Sequence, residues 1–473
     1  MKTRTKLFQI MIFLILLMIG LHLLYRIFFW KDTSGLYYSS TEQLYSMEKD
    51  VVDVAFFGPS TIYTSINPAI FWEKDGIAVF NAAVSGQDRS ASLYYLKELL
   101  KYQSPKVVVL SATYFFFDIY GVQGNLIRNA LSLKASPNSF ALINDLLSKN
   151  PEAAGEITRN DFLLRWPIFH SRYRELQEAD FVPVKEYENC LGYVYNTDNG
   201  TVQDLEEISF DTTVTTPISE ENRQWIDELK ELSEEHGFQI LILSAPYGFS
   251  DSKRACVNGC FSYLDEVGIP HLDLNFCLNE MGFVPSFDMP DIMHYNFRGA
   301  RKISEYLSNY LKENYELPDR RGQAGYERFD LCLENYNHKC LELEILPAAD
   351  ILQLIELPKT YRNLLISVTV HPGSSPNPEI LQLLEAYGVA SADTSSGGTW
   401  LWEDHRLLHS PSPEQYAYKI DPGKYYYIRP TAIPGADLIT IGSKVYTTPE
   451  AQGTDILIYD TLLNKLIAHC QFE

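Results

Sequence analysis

Three residues that are far apart in the chain have side chains suited to nucleophilic catalysis. Ser60 closes the run VVDVAFFGPS at residues 51–60, an apolar stretch that predicts a buried strand ending at a Gly-Pro turn. Asp291 and His294 follow in the spacing Asp-x-x-His, just before a predicted helix at residues 297–313. A serine can carry out acyl transfer when a histidine deprotonates it and a carboxylate orients that histidine. The plainer interpretation makes Ser60 a turn residue and the other two a helix cap.

The elements around these residues decide whether the three side chains can meet. Predicted strands and helices alternate along the first 315 residues, which indicates an α/β fold with a doubly wound, flavodoxin-like parallel sheet of five strands. In such a sheet the loops after the strands lie at one edge, so Ser60 and His294 can come together. The predicted strands lie at residues 51–57, 77–85, 106–117, 238–246 and 270–275, and the predicted helices at 66–75, 90–103, 219–236, 251–267 and 297–313.

A third block adds to the pattern. Gly86 lies in NAAVSGQ directly after the second predicted strand. Taken in order, Gly58-Pro59-Ser60, Gly86 and Asp291-x-x-His294 resemble the SGNH (GDSL-like) hydrolase superfamily over about residues 50–315. Within it, the chain is similar to membrane-anchored proteins that act on envelope polymers, such as the D-alanyl-transfer protein of teichoic acid modification and the alginate acetylation proteins.

The resemblance implies a role for each matched residue. Ser60 would be the nucleophile, His294 the general base and Asp291 its orienting carboxylate. The backbone N–H groups of Ser60 and Gly86 would stabilise the oxyanion, and Ser85 would contact the substrate or cap a helix.

Two departures from the family pattern concern the same site. Pro59 stands where the family has Asp or Ser, and proline has no N–H to donate. The family's third-block asparagine is missing after the third strand, where Ser111 or Thr113 would have to replace it. Residues 118–215 interrupt the strand–helix alternation, and we interpret them as an insertion that caps the site.

The N-terminus reads as a membrane anchor. Residues 7–30 are apolar over a length that spans a bilayer, and they end in aromatic residues typical of a membrane interface. Lys2, Arg4 and Lys6 precede them, so the positive-inside rule places the N-terminus in the cytoplasm. We therefore expect a single-pass cell-membrane protein with a signal anchor at residues 1–31, a stalk at 32–49 and its bulk outside the cytoplasm.

The C-terminal part has a different pattern. A predicted linker at residues 316–326 leads to residues 327–473, which contain many short strands and one clear helix at 379–389. Gly453 and the run TDILIYDTLLNKLIAHCQF resemble the closing motif of the interleukin-like EMT inducer domain. A related domain binds sugar, so this resemblance implies carbohydrate binding, with Trp400 and Trp402 as stacking residues. Burial of both indoles in a core is the simpler alternative.

The composition of the chain excludes some classes of binding partner. A net charge of −22 over 473 residues argues against nucleic acid. Seven scattered cysteines contain no paired Cys-x-x-Cys motif, so we expect no metal site and no cofactor, but one disulfide among Cys332, Cys340 and Cys470.

Three hypotheses remain. The chain is an esterase or O-acyltransferase that acts on a cell-surface glycan or a teichoic-acid-like polymer. Alternatively, it is a degenerate hydrolase fold that binds carbohydrate. In the third hypothesis it is a scaffold for a membrane acyltransferase.

Overall fold

The computed structural model describes residues 2–29, 38–116, 122–164, 166–177, 180–181, 190–201, 210–448 and 450–472. These residues form two compact units, of which the first ends at Leu333 and the second begins at Glu334. The first unit is α/β, and the second is mostly β.

The first unit is built on a parallel sheet of five strands in the order β2-β1-β3-β4-β5. This order confirms the predicted doubly wound sheet, and the direction of winding changes beside β1, where such sheets form their ligand crevice. The strands are short, and apart from the half-buried edge strand β5 they are almost entirely buried, because helices cover both faces. They are β1 (Val54–Phe57), β2 (Val79–Asn81), β3 (Val107–Ser111), β4 (Gln239–Ser244) and β5 (His271–Asp273).

The helices of the first unit begin at the N-terminus and lead beyond the last strand. Those before β4 are α1 (Lys2–Phe28), α2 (Tyr38–Ser46), α3 (Ser60–Tyr63), α4 (Pro68–Asp75), α5 (Arg89–Leu99), α6 (Gln123–Ser132), α7 (Pro137–Lys149), α8 (Pro151–Ala154), α9 (Arg159–Leu164) and α10 (Trp166–Phe169). The later ones are α11 (Glu220–His236), α12 (Asp251–Val267), α13 (Pro285–Asp288), α14 (Phe297–Asn314) and α15 (Glu327–Cys340), of which α15 continues into the second unit.

The sheet and its helices share one apolar core. On one face, Val54, Phe56 and Val109 of the strands pack with Phe71 of α4 and Ile303 of α14. The intervening strand residues are equally buried on the opposite face, as expected for a sheet covered on both sides. The third predicted strand, 106–117, ends early at Ser111, whose side chain accepts a hydrogen bond from the Thr113 N–H and starts a 3₁₀ turn, Ala112–Phe115.

Helix α1 includes a 21-residue segment, Phe8–Phe28, with a mean hydropathy of 2.4 and no burial against the rest of the protein. This segment is long and apolar enough to cross a membrane. The described part of the predicted insertion, 118–215, contains α6 to α10 and a 3₁₀ turn, His170–Arg174.

The second unit contains two antiparallel sheets. The larger has the order β14-β13-β6-β7-β8, and the smaller has the order β12-β11-β10-β9. The strands are β6 (Leu364–Val370), β7 (Gly398–Glu403), β8 (Arg406–His409), β9 (Tyr416–Asp421), β10 (Lys424–Pro430), β11 (Asp437–Ile441), β12 (Lys444–Val445), β13 (Thr454–Asp460) and β14 (Lys465–Phe472). Two helices complete it, α16 (Leu357–Thr360) and α17 (Pro378–Ala386), of which α17 matches the helix predicted at 379–389. Segments of 3₁₀ or π helix lie at Leu341–Ile345, Leu346–Ala348, Leu352–Ile355 and Ser391–Ser396.

The central strands of the larger sheet are buried on both faces. In β6, Ile366 and Val368 belong to the core that includes residues of α17, whereas Leu365 belongs to the core shared with the smaller sheet. The continuous apolar run of β6 follows from this double coverage.

Two further predictions can be compared with the structure. The predicted linker, 316–326, is ordered on the first unit: the Arg320 guanidinium donates to both carboxylate oxygens of buried Asp53 at 3.1 and 2.9 Å. The predicted disulfide is wrong. All seven cysteines lie in the described residues, and all are free thiols. Cys332 is buried in the first unit, where burial raises the pKa of its thiol, whereas Cys340 and Cys470 belong to the second unit.

Candidate active site

Ser60 is placed by a tight turn at the carboxyl end of β1. Gly58 is required there, because a Cβ at this position would lie 2.2 Å from Cγ1 of Ile62. Pro59 is the N-cap of α3, and its carbonyl accepts a hydrogen bond from the Ile62 N–H at 3.0 Å. Ser60 is the first residue of α3, so its N–H has no acceptor within the helix.

Asp291 and His294 lie in the loop that leads into α14. Asn296 caps this helix by accepting from the N–H groups of Arg298 and Gly299, both at 3.1 Å. The Asn296 amide also donates to the Phe287 carbonyl at 2.6 Å, which closes the loop. The Gly248 N–H donates to the Ile292 carbonyl at 2.8 Å and ties the loop to the segment after β4. The loop is therefore held at its start, its middle and its end.

The three side chains form a continuous hydrogen-bonded chain. Nε2 of His294 lies 2.7 Å from Oγ of Ser60, and Nδ1 of His294 lies 2.7 Å from Oδ2 of Asp291. The other carboxylate oxygen, Oδ1, accepts from the backbone N–H groups of Met293 and His294, both at 2.9 Å. With the proton of the imidazole on Nδ1, facing the carboxylate, Nε2 is the acceptor for the serine proton.

The electrostatics of Asp291 suit this arrangement. Partial burial alone would raise its pKa, but hydrogen bonds from the His294 side chain and from the Met293 and His294 backbone outweigh burial. The pKa of Asp291 therefore lies below its ordinary value of 3.8, so the carboxylate is ionised at neutral pH. The side chains of His294 and Asp291 are 28% and 52% exposed, which makes the site accessible from solvent.

Gly86 lies in a second turn, joined to the Ser60 turn. The Val84 N–H donates to the Gly58 carbonyl at 3.1 Å, and the Gln87 N–H donates to the Val84 carbonyl at 2.9 Å. Gly86 has φ +65°, a conformation that favours glycine. A Cβ at this position would also lie 2.4 Å from Cγ of Asn125. The carboxamide of Asn125, on α6, therefore occupies the space beside Gly86.

Buried polar side chains connect the elements that carry the site. The Asn81 amide, at the end of β2, donates to the carbonyls of Ile62 and Ile66 at 3.1 and 3.0 Å. The Ser304 hydroxyl, on α14, donates to the Ser65 carbonyl at 3.1 Å and accepts from the Asn67 N–H at 2.9 Å. Ser304 thus joins the helix after His294 to the loop after Ser60.

Asn81, Ser304 and Asn125 are not among the residues predicted from the sequence. Asn81 lies within NAAVSGQ, where its position at a strand end was the available signal. Asn125 carries no local signal, because it comes from the insertion rather than from the end of β3.

The remaining predicted residues have other surroundings. The hydroxyl of Ser85 accepts from Nη1 of Arg128 at 3.2 Å, and the N-cap of α5 is Asp88 rather than Ser85. Ser111 and Thr113 are buried, and their hydroxyls are hydrogen-bonded to each other at 2.7 Å. The geometry thus gives no support to either of them as a replacement for the missing asparagine.

The sugar-stacking prediction for Trp400 and Trp402 is incompatible with their burial. The two residues are 3% and 1% exposed, and both belong to the core between the larger sheet and α17. Nε1 of Trp402 donates to the Tyr387 carbonyl at 3.2 Å. A sugar needs an open ring face, so these indoles serve packing instead. Among the described residues, no cluster of three or more His, Cys, Asp or Glu side chains is arranged to hold a metal ion.

No protein-family model matches the chain, and no curated protein is significantly similar to it. Among solved structures, the chain is similar to a Bacteroides fragilis protein provisionally named an acylhydrolase. The identity is 12% and the TM-score 0.28, over 60% of this chain and 99% of that protein. A likeness at this level carries no argument about mechanism. The functional interpretation therefore depends on the geometry around Ser60.

Proposed function

We propose that this chain is a membrane-anchored, extracytoplasmic serine esterase or O-acyltransferase of the SGNH type, acting on acyl groups of a cell-surface polysaccharide. The observation that carries the proposal is the hydrogen-bonded chain from Ser60 through His294 to Asp291, with both links at 2.7 Å. Two adjacent links of this length, ending at an ionised carboxylate, place a base within reach of a serine proton.

The reaction has two steps. Oγ of Ser60 attacks the acyl carbonyl carbon while Nε2 of His294 takes the serine proton, and the leaving alcohol departs with that proton. The resulting acyl-enzyme is then attacked by water in an esterase, or by a sugar hydroxyl in a transferase. His294 takes the proton of the attacking group and returns it to Ser60. Asp291 stays ionised and stabilises the imidazolium that forms in each step.

Three donors are available for the oxyanion in this proposal. The first two are the backbone N–H groups of Ser60 and Gly86, whose turns are joined by the Val84–Gly58 hydrogen bond. The third is the Asn125 amide, which lies against Gly86. Asn125 would replace the family's asparagine from a different element. Pro59 is not one of these three donors, so its lack of an N–H takes none of them away.

Two features support the proposed substrate class, namely the exposure of the site and the proposed membrane anchor. With His294 and Asp291 partly exposed, a bulky acyl acceptor can approach without entering a deep cavity. Helix α1 would keep the enzyme beside polymers of the cell envelope. This support is independent of the second unit, whose proposed carbohydrate role no longer includes Trp400 or Trp402.

A fluorophosphonate probe tests the proposal directly. We expect the detergent-solubilised full chain to form a covalent adduct at Ser60, detected by gel fluorescence and by mass spectrometry of the labelled peptide. Ser60→Ala should abolish labelling, while the exposed Ser148→Ala variant should label like the wild type. If correctly folded wild-type protein does not react, the enzyme proposal is wrong. The alternative of a catalytically degenerate binding or scaffolding protein would then be favoured.

A further inference from the structure

The end of helix α1 is fixed to the rest of the first unit, called the catalytic unit because it contains Ser60, Asp291 and His294. Nη1 of Arg172 donates to the carbonyls of Phe28 and Phe29 at 3.0 and 2.9 Å. The last carbonyls of a helix have no intrahelical donor, and a cation is favourable at this end. The ring of Phe29 also packs against Phe169, with 4.9 Å between centroids, and both rings are buried.

Arg172 is itself held in place. Its Nη2 donates to both carboxylate oxygens of Asp180 at 2.8 and 3.0 Å, and the Asp180 side chain is 1% exposed. The Gln177 N–H donates to the same carboxylate at 2.9 Å. Two pieces of the insertion are therefore joined at the end of α1. We call this arrangement the Arg172–Asp180 clamp.

Each residue of the clamp has an exposed aromatic neighbour in the chain. Tyr173 follows Arg172 and is 56% exposed, and Phe181 follows Asp180 and is 62% exposed. The guanidinium of Arg174 lies 5.3 Å from the centre of the Tyr173 ring, and its Nε donates to the Tyr173 hydroxyl at 2.9 Å. Aromatic rings next to arginine are typical of the membrane–water interface.

The length of α1 gives the depth of these residues. At 1.5 Å per residue, the apolar segment Phe8–Phe28 is about 32 Å long. The hydrocarbon core of a bilayer is about 30 Å thick, so a spanning helix of this length ends near the headgroups. Groups that touch Phe28 and Phe29 then lie at the same level. Tyr173 and Phe181 each directly follow a clamp residue in the chain, so both lie within reach of the headgroup level.

We propose that Tyr173 and Phe181 form a lipid-contacting surface, by which the insertion rests on the bilayer interface on the side of the catalytic unit. The occupant is the lipid bilayer itself, because the surface is continuous with the end of the helix that crosses it. The inference rests on the membrane anchoring included in the proposed function. Together with the clamp, this surface would hold the catalytic unit close to the membrane.

Photo-crosslinking to lipid tests this surface in the full chain. p-Benzoylphenylalanine would replace Tyr173 or Phe181 in protein reconstituted into phosphatidylglycerol and phosphatidylethanolamine vesicles that contain a clickable lipid. The control position is Phe276, which is 51% exposed and contacts Arg254 instead of α1. We expect lipid labelling at positions 173 and 181 to exceed that at position 276 at least fivefold.

A second control separates the anchor from the surface. p-Benzoylphenylalanine at Phe13, which is 63% exposed within α1, should label lipid whenever the helix is inserted. Labelling at position 13 with only background labelling at positions 173 and 181 would overturn the lipid surface but leave the anchor intact. A crosslink from 173 or 181 to another protein, without lipid, would also overturn it. Absence of labelling at position 13, with release of the protein by carbonate, would overturn the anchor and this inference together.

Discussion

Pro59 takes part in the Ser60 turn through its carbonyl. As the N-cap of α3 it supplies the carbonyl that accepts the first helical hydrogen bond, from the Ile62 N–H at 3.0 Å, and the fixed φ of proline suits this turn. This departure from the SGNH pattern is thus compatible with the observed position of Ser60. The second departure is the missing third-block asparagine, which Asn125 replaces in the proposed function.

We predict that Asn125→Ala lowers the rate of ester hydrolysis by about 10²-fold, because removal of one oxyanion donor typically costs 10²–10³ in turnover. The measurement is turnover of p-nitrophenyl acetate by the solubilised full chain, with the melting temperature as a check on folding. Asn138→Ala is the matched control, since this amide lies in the neighbouring helix α7 and donates to Glu98 instead. A wild-type rate in a folded Asn125→Ala variant would exclude the amide from the oxyanion site.

At the scale of elements, the predictable site residues are those that lie in loops after parallel strands. Ser60 and Asp291-x-x-His294 could be placed together because the loops after parallel strands lie at one edge of the sheet. Gly86 was identifiable by its position after β2. Asn125 was not, because it reaches the site from the insertion, where no strand–helix alternation indicates which helix returns to the sheet.

In the second unit, the sequence pattern did not distinguish buried tryptophans from exposed ones. Trp400 and Trp402 alternate along β7, a pattern that fits one exposed face or two buried ones equally well. The structure resolves this, since the larger sheet has α17 on one face and the smaller sheet on the other. The residue pattern of a single strand does not indicate which layers pack on the two faces of its sheet.

Burial of Trp402 leads to a stability prediction. Trp402→Ala should destabilise the second unit by about 3–5 kcal/mol, the usual cost of replacing a fully buried tryptophan by alanine. Leu407, its cross-strand partner on β8, is 48% exposed, so Leu407→Ala should change stability by less than about 0.5 kcal/mol. Denaturant unfolding of the full chain, followed by fluorescence, measures both. Reduced glycan binding by Trp402→Ala at unchanged stability would instead restore the sugar-stacking role.

At the scale of the whole molecule, the proposed membrane crossing determines on which side of the bilayer the proposed chemistry takes place. Within the described residues, α1 contains the one helix that is long and apolar enough to span. All three members of the hydrogen-bonded chain follow it, so the proposed crossing would leave Ser60, Asp291 and His294 together on one side of the bilayer. The positive-inside rule, applied to the basic residues that precede the apolar segment, predicts that this side is outside the cytoplasm.

A membrane-impermeant fluorophosphonate measures this orientation through the site itself. We expect right-side-out spheroplasts that carry the protein to be labelled at Ser60 without detergent. Inverted vesicles should be labelled only after permeabilisation, because the phosphonate cannot cross the bilayer to reach the hydroxyl. Ser60→Ala, expressed at the same level, supplies the background for both preparations. Labelling confined to intact inverted vesicles would place the catalytic unit in the cytoplasm and contradict the proposed action on a surface polysaccharide, even if the serine proved reactive.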